Sequence, residues 1–269
     1  MPATLPRPEL RRAALALLQN DDAAAKAAAT RTLFADRDAL ALDTRTVLEP
    51  SAPLPGRPAR PLLVPALQVP QRSPGTREGR AALLHAIAHI EFNAINLALD
   101  AIWRFAGLPA AYYRDWLQVA GEEALHFTML REHLLSLGCD YGDFAAHDGL
   151  WTMTAKTAHD PLARMALVPR TLEARGLDAT PPLQKKFAHA GDARAVEILG
   201  VILHDEIGHV AIGNRWYRFL CERDGLDPVA LYPQLAERYE APKPRPPFNL
   251  TAREAAGFTA QELAQLTGS

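Results

Sequence analysis

Apolar and polar positions change their rhythm twice along this chain of 269 residues. Residues 8–18 and 21–34 read as short helices, the first opening on Pro8-Glu9-Leu10 and the second capped by Asn20 or Asp21. The rhythm is then lost. Pro50, Pro53, Pro55, Pro58, Pro61, Pro65, Pro70 and Pro74 lack the backbone N–H that helices and ladders need, so 43–76 is expected to be extended. A strap packed by Leu62, Leu63, Val64 and Leu67 is the favoured reading, a disordered linker the alternative.

Beyond residue 76 a step of three and four returns, the spacing of a helix with one buried face. The stripe Leu84, Ala88, Glu91, Ile95, Ala98, Ile102, Phe105 predicts a helix over 76–105, stopped by Gly107 and Pro109. A second, over 109–138, carries Trp116, Val119, Glu123, His126, Leu130 and Leu137. The short break makes the two antiparallel. An irregular stretch, 139–159, includes a short helix near 150–157. A third helix spans about 161–175 and is expected to kink at Pro169, and Thr180-Pro181-Pro182 to open a separate segment ending at Ala190. Asp192 caps a long helix to Gly225 whose stripe is Ala195, Leu199, Ile202, Glu206, His209, Gly213, Trp216, Leu220. A helix from Pro228 to Tyr239, an extended tail over 241–248 and a last turn capped by Thr259 complete the reading.

The anomaly is that five of these seam positions are polar. Glu123-x-x-His126 and Glu206-x-x-His209 each place a carboxylate and an imidazole one turn apart on an otherwise apolar face. An uncompensated buried charge costs several kcal/mol or more, so a metal ion is the natural counterpart. Each unit has a lone glutamate about one hairpin upstream: Glu91 lies 32 residues before Glu123, and Glu173 lies 33 before Glu206. Glu followed by Glu-x-x-His, used twice, is the ligand set of a carboxylate-bridged di-iron or di-manganese four-helix bundle. Glu123 and Glu206 would bridge the ions, with Glu91 and His126, and Glu173 and His209, at the terminal positions. The alternative is six buried residues paired without metal; for Glu173 in particular, Arg170 and Arg175 could serve instead. Glu122 and Asp205 each precede a motif glutamate, and each is assigned to orient the histidine of the opposite hairpin, a solvated helix face being the alternative. His204 and His209 are five apart and cannot share a metal, which excludes a zincin. His85 and His89 could pair on the outer face of their helix, as packed or hydrogen-bonded residues, and His133 is similar. Trp103, Tyr112, Tyr113 and Trp216 read as core or rim.

Apolar residues make up 48% of the chain, enough for a sizeable core, and a net charge of −2 makes no global case for nucleic acid or membrane binding. Lys156, Arg164, Arg170, Arg175, Lys185 and Lys186 gather around the third helix, where a solvated face explains them. Cys139 and Cys221 form no C-x-x-C, which fits a reducing, cytoplasmic setting and removes a built-in iron–sulfur electron carrier. No apolar run approaches the roughly 18 residues needed to span a membrane.

The runs His89-Ile-Glu91, Glu122-Glu-Ala-Leu-His126-Phe, Leu172-Glu-Ala-Arg-Gly-Leu-Asp178 and His204-Asp-Glu-Ile-Gly-His209-Val resemble the bacterial ferritin-like proteins of domain-of-unknown-function family 455 over roughly 77–250. The Glu-Ala-Arg-Gly run supports Glu173 as a ligand through that resemblance. A more distant similarity is to the di-iron hydroxylase of isopentenylated tRNA adenosine. The expected architecture is therefore all-α: an N-terminal helical and Pro-rich extension (1–76) on a ferritin-like four-helix bundle with short C-terminal helices (77–269). The expected cofactor is two metal ions, iron first and manganese second. The expected function is an O₂-dependent oxidase or hydroxylase of a small molecule or modified nucleoside, with electrons from a separate donor. Ferroxidase or iron-handling activity is the second reading, and a metal-free scaffold or RNA-binding protein the third.

Overall fold

The computed structural model describes residues 8–70 and 72–268. Among them the regular structure is helical, and extended pairing is confined to the isolated bridges Glu9–Ala41 and Leu63–Ala146. The chain divides into two units, one of Met1–Pro70 with Leu84–His147, the other of Gln71–Leu83 with Asp148–Ser269.

The first unit contains α1 (Leu10–Leu18), α2 (Ala23–Ala35), most of α3 (Arg77–Arg104) and α4 (Ala110–Ser136). Glu9 caps α1 by accepting from the N–H groups of Arg11 and Arg12, at 3.0 and 2.8 Å. The cap of α2 is Asp22, one residue beyond the expected position, bonded to Ala25 N at 2.8 Å. Arg11 is wholly buried, and its guanidinium donates to the carbonyls of Ile102 and Trp103 in the last turn of α3. A cation there satisfies carbonyls that a helix end leaves orphaned. Lys26 on α2 is also fully buried, donating to Leu18 O, Gly56 O and Asn96 Oδ1. Thus the N-terminal helices are fastened to α3 by two buried cations, a feature invisible to hydrophobic periodicity.

The Pro-rich segment is an ordered extended strap, broken by one 3₁₀ turn at Ala66–Gln68. Its contacts differ from expectation. Leu62 and Leu67 are 69% and 100% exposed, whereas Pro55, Gly56 and Pro61 are the buried positions. Gly56 is needed because a Cβ would fall 2.2 Å from Gln19 O. The strap lies flat through backbone and proline rings, which turns its leucines outward. His85 and His89 are likewise not on an outer face. Both are buried beneath residues 141–144: His85 Nε2 accepts from Gly142 N at 2.8 Å, and His89 Nδ1 meets the Tyr141 hydroxyl at 2.9 Å. Burial pushes their pKa values down to about 4 and about 3, so both rings are neutral at pH 7.

In the second unit α5 (Gly149–Lys156) and α6 (Pro161–Leu167) lead into a π-helical turn, Val168–Glu173. Pro169 cannot donate its helical hydrogen bond, and its ring crowds the preceding turn. The backbone answers by widening for one turn before α7 (Ala174–His189). The Pro169 ring packs on Gly213 of α8 (Ala193–Arg223), where a Cβ would lie 2.5 Å from Pro169 Cβ. Gly213 is therefore filled space. Thr171 Oγ1 adds a side-chain bond across the turn, donating to Ala166 O at 2.8 Å.

Pro181 and Pro182 do not begin a new segment, contrary to expectation: α7 runs through both. Proline at 181 strips Leu177 O of its helical donor, and Asn249 Nδ2 supplies another at 3.2 Å. Asn249 also caps α10 (Leu250–Ala255), a helix too short to show a stripe. α9 (Pro228–Arg238) precedes it, and α11 (Ala260–Thr267) ends the described chain with a Thr259–Glu262 capping box. Of the basic cluster, Arg164 and Arg170 are buried, and Lys156 pairs with Glu240 at 3.0 Å. The cluster is thus not a single solvated face. α3 is long and apolar enough to cross a membrane by composition, which reading consecutive apolar runs overlooked; 78% of its apolar window is buried inside the protein.

Candidate metal centre

In the first unit α3 and α4 bring three of the expected ligands together. Their apolar seams pack with Phe92 and Phe127 centroids 5.6 Å apart, and one residue before each lies a polar member, Glu91 and His126. His126 Nδ1 stands 3.1 Å from Glu91 Oε2 and 3.3 Å from Glu123 Oε2. Ligand atoms of all three lie within 4.8 Å of one another. Glu91 is 3% exposed, and Glu123 and His126 not at all.

The electrostatics of this cluster are costly for a protein without a cation there. Burial first, and then the Glu123 carboxylate, push Glu91 up to about 8, while the His126 hydrogen bond opposes the rise. Two carboxyl groups and an imidazole converging in a buried place offer the oxygen and nitrogen donors that iron, manganese or zinc accepts. A divalent ion there would offset both the desolvation cost and the repulsion between the two carboxylates. The residues therefore fit a metal ion.

In the second unit Glu173, Glu206 and His209 are all buried, at 6%, 6% and 1% exposure. Glu173 is the last residue of the π-turn, whereas Glu206 and His209 project from one face of α8, with His209 Nδ1 3.9 Å from Glu206 Oε2. Gly176 on α7 faces Glu206; a Cβ there would approach its carboxyl carbon to 3.7 Å. Gly176 is the last residue of the Glu-Ala-Arg-Gly run, and spacing alone attached no role to it. Arg170, the alternative partner considered for Glu173, instead donates to Asn214 and Glu262, each at 2.6 Å, and Arg175 is exposed. Glu122 is half-buried and accepts from Gln118 at 3.0 Å, Asp205 is half-buried, and His204 is exposed. Tyr112, Tyr113, Trp103 and Trp216 are buried core residues. Cys139 and Cys221 are both free thiols.

An all-helical protein with buried carboxylate–histidine sets able to hold a metal ion is the class these observations define. The chain belongs to the family described as Protein of unknown function (DUF455), whose model matches residues 19–264. A protein of Haemophilus influenzae, described as an uncharacterized protein, is 55% identical over 213 residues, covering 77% of this chain and 74% of its own. No solved structure matches the chain.

Proposed function

We propose that Glu91, Glu123, His126, Glu173, Glu206 and His209 hold two metal ions, iron first and manganese second, and that the protein is an O₂-dependent oxidase or hydroxylase. The observation that carries this reading is the buried Glu91–Glu123–His126 set, together with the recurrence of the same residue types at nearly the same spacing in the second unit. Two reduced irons, when bound, supply the electrons that activate O₂ for oxidation of an organic substrate. The chain's own part is to hold the ligands on rigid helices, keep water from the donors and leave room for a substrate. The substrate class proposed is a small molecule or modified nucleoside. The electron donor would be a separate protein, since the two cysteines form no cluster motif. A cytoplasmic setting belongs to the same proposal.

Glu122 and Asp205 are proposed to accept from the ring N–H that each metal-bound histidine turns away from the ion. An Asp205→Asn variant should then bind metal about 10–100-fold more weakly. Buried Arg164 and Arg170 leave a discontinuous basic surface, which weighs against an RNA-binding scaffold. Aerobic addition of Fe(II) to the metal-free protein tests the oxidase against the iron store. The oxidase takes up about two irons per chain and stops; retention of tens per chain in a large hollow assembly would establish the store instead.

A further inference from the structure

A π-turn is an unfavourable piece of backbone that persists only where its surroundings over-determine it. Here those surroundings come from far along the chain. Arg170, in the middle of the turn, is 3% exposed and donates to Glu262 Oε1 at 2.6 Å, 92 residues later. Its guanidinium carbon lies 5.2, 5.0 and 4.8 Å from the ring centroids of Tyr217, Tyr232 and Phe258. Thr171, the next residue, meets the Tyr232 hydroxyl at 2.9 Å.

Glu262 is an unusual capping residue. The glutamate of a capping box ordinarily closes only its own helix end. Glu262 does so, accepting from Thr259 N at 2.7 Å, yet it is 6% exposed and also accepts from Arg170 and Arg218. Burial alone would raise its pKa, but Arg170 leads the groups that hold it below the ordinary carboxylate value. A buried ion pair flanked by aromatic rings is an expensive way to stabilise an eight-residue terminal helix. It is well suited to fixing one geometry. Three residues after Arg170, the turn ends at Glu173.

We propose that α11 is a brace for the π-turn: Glu262 clamps Arg170 and thereby sets where the Glu173 carboxylate stands. Arg170 and Glu262 are positioning residues and touch no metal. This rests on the proposed role of Glu173 as a metal ligand, and the experiment separates the two ideas. Full-length wild type, Glu262→Ala and Glu262→Gln are compared by hydrogen–deuterium exchange in the metal-free state and by Co(II) titration followed in the visible spectrum. The expected result is exchange faster by about tenfold within 168–173 in Glu262→Ala, with α4 and α8 unchanged. Co(II) affinity should fall about tenfold and the spectrum change shape, with partial recovery in Glu262→Gln, which keeps the hydrogen bond without the charge. If Glu262→Ala does not fold, Glu262→Gln carries the same comparison. If wild type binds no Co(II), the metal reading fails, and localised exchange alone still decides the brace. Unchanged exchange in 168–173, or an unchanged Co(II) spectrum and affinity in a wild type that binds the metal, would overturn it.

Discussion

At Gly213 an added methyl group would stand 2.5 Å from Pro169 Cβ and 2.6 Å from its Cγ. Neither the proline ring nor the π-turn behind it is a flexible side-chain end, so Gly213→Ala must displace backbone. Chemical denaturation should show a loss of about 1–3 kcal/mol, the usual cost of overpacking; unaltered stability would mean that this seam yields to an added methyl group. Lys26 makes a second residue-scale test. Burial, with Arg57 adding and Asp21 opposing, pushes it from 10.5 down to about 7. Its three oxygen acceptors resist that push, since a neutral amine has only two N–H bonds. Between about pH 7 and 10.5 the unfolded chain keeps a proton that the folded protein releases, so this group makes stability rise with pH. Urea midpoints at about pH 7.5 and 9.5 should show that rise in wild type and a smaller one in Lys26→Met. The same dependence in both would acquit Lys26. The candidate ligands were legible in sequence because charge in an apolar seam is conspicuous. The same logic misjudged His85 and His89, because a stripe shows which face is buried without showing what covers it.

Helix boundaries show the same division. α3, α4 and α8 begin and end within a few residues of the positions marked by Pro109, Gly138 and Asp192, since caps and breakers act locally. The path through Pro181 and Pro182 could not be read locally, because the missing donor comes from Asn249, more than 60 residues away in sequence. Asn249→Ala removes both that donor and the cap of α10. It should lower stability by about 1–2 kcal/mol and speed amide exchange in α7 after residue 177. An effect confined to α10 would show that the prolines are tolerated without help. A disturbance of the helix at Pro169 was expected, but a π-turn was not, since its contacts with Asn214, Tyr232 and Glu262 come from far along the chain.

For the whole molecule, the all-helical class and the family were legible from periodicity and from four short runs, and the family model extends over most of the chain, residues 19–264. Most of the N-terminal extension, Met1–Pro70, groups with Leu84–His147, where buried Arg11 and Lys26 fasten it, a link no apolar stripe announces. The central claim is that the repeated Glu and Glu-x-x-His residues hold metal. Elemental analysis of protein produced in iron-supplemented medium and purified without a chelating tag tests it most directly. The account predicts about two metal ions per chain in wild type, and well below one in Glu123→Ala and Glu206→Ala variants whose circular dichroism remains helical. Wild-type protein carrying well under one metal ion per chain, or variants retaining the full complement, would contradict it.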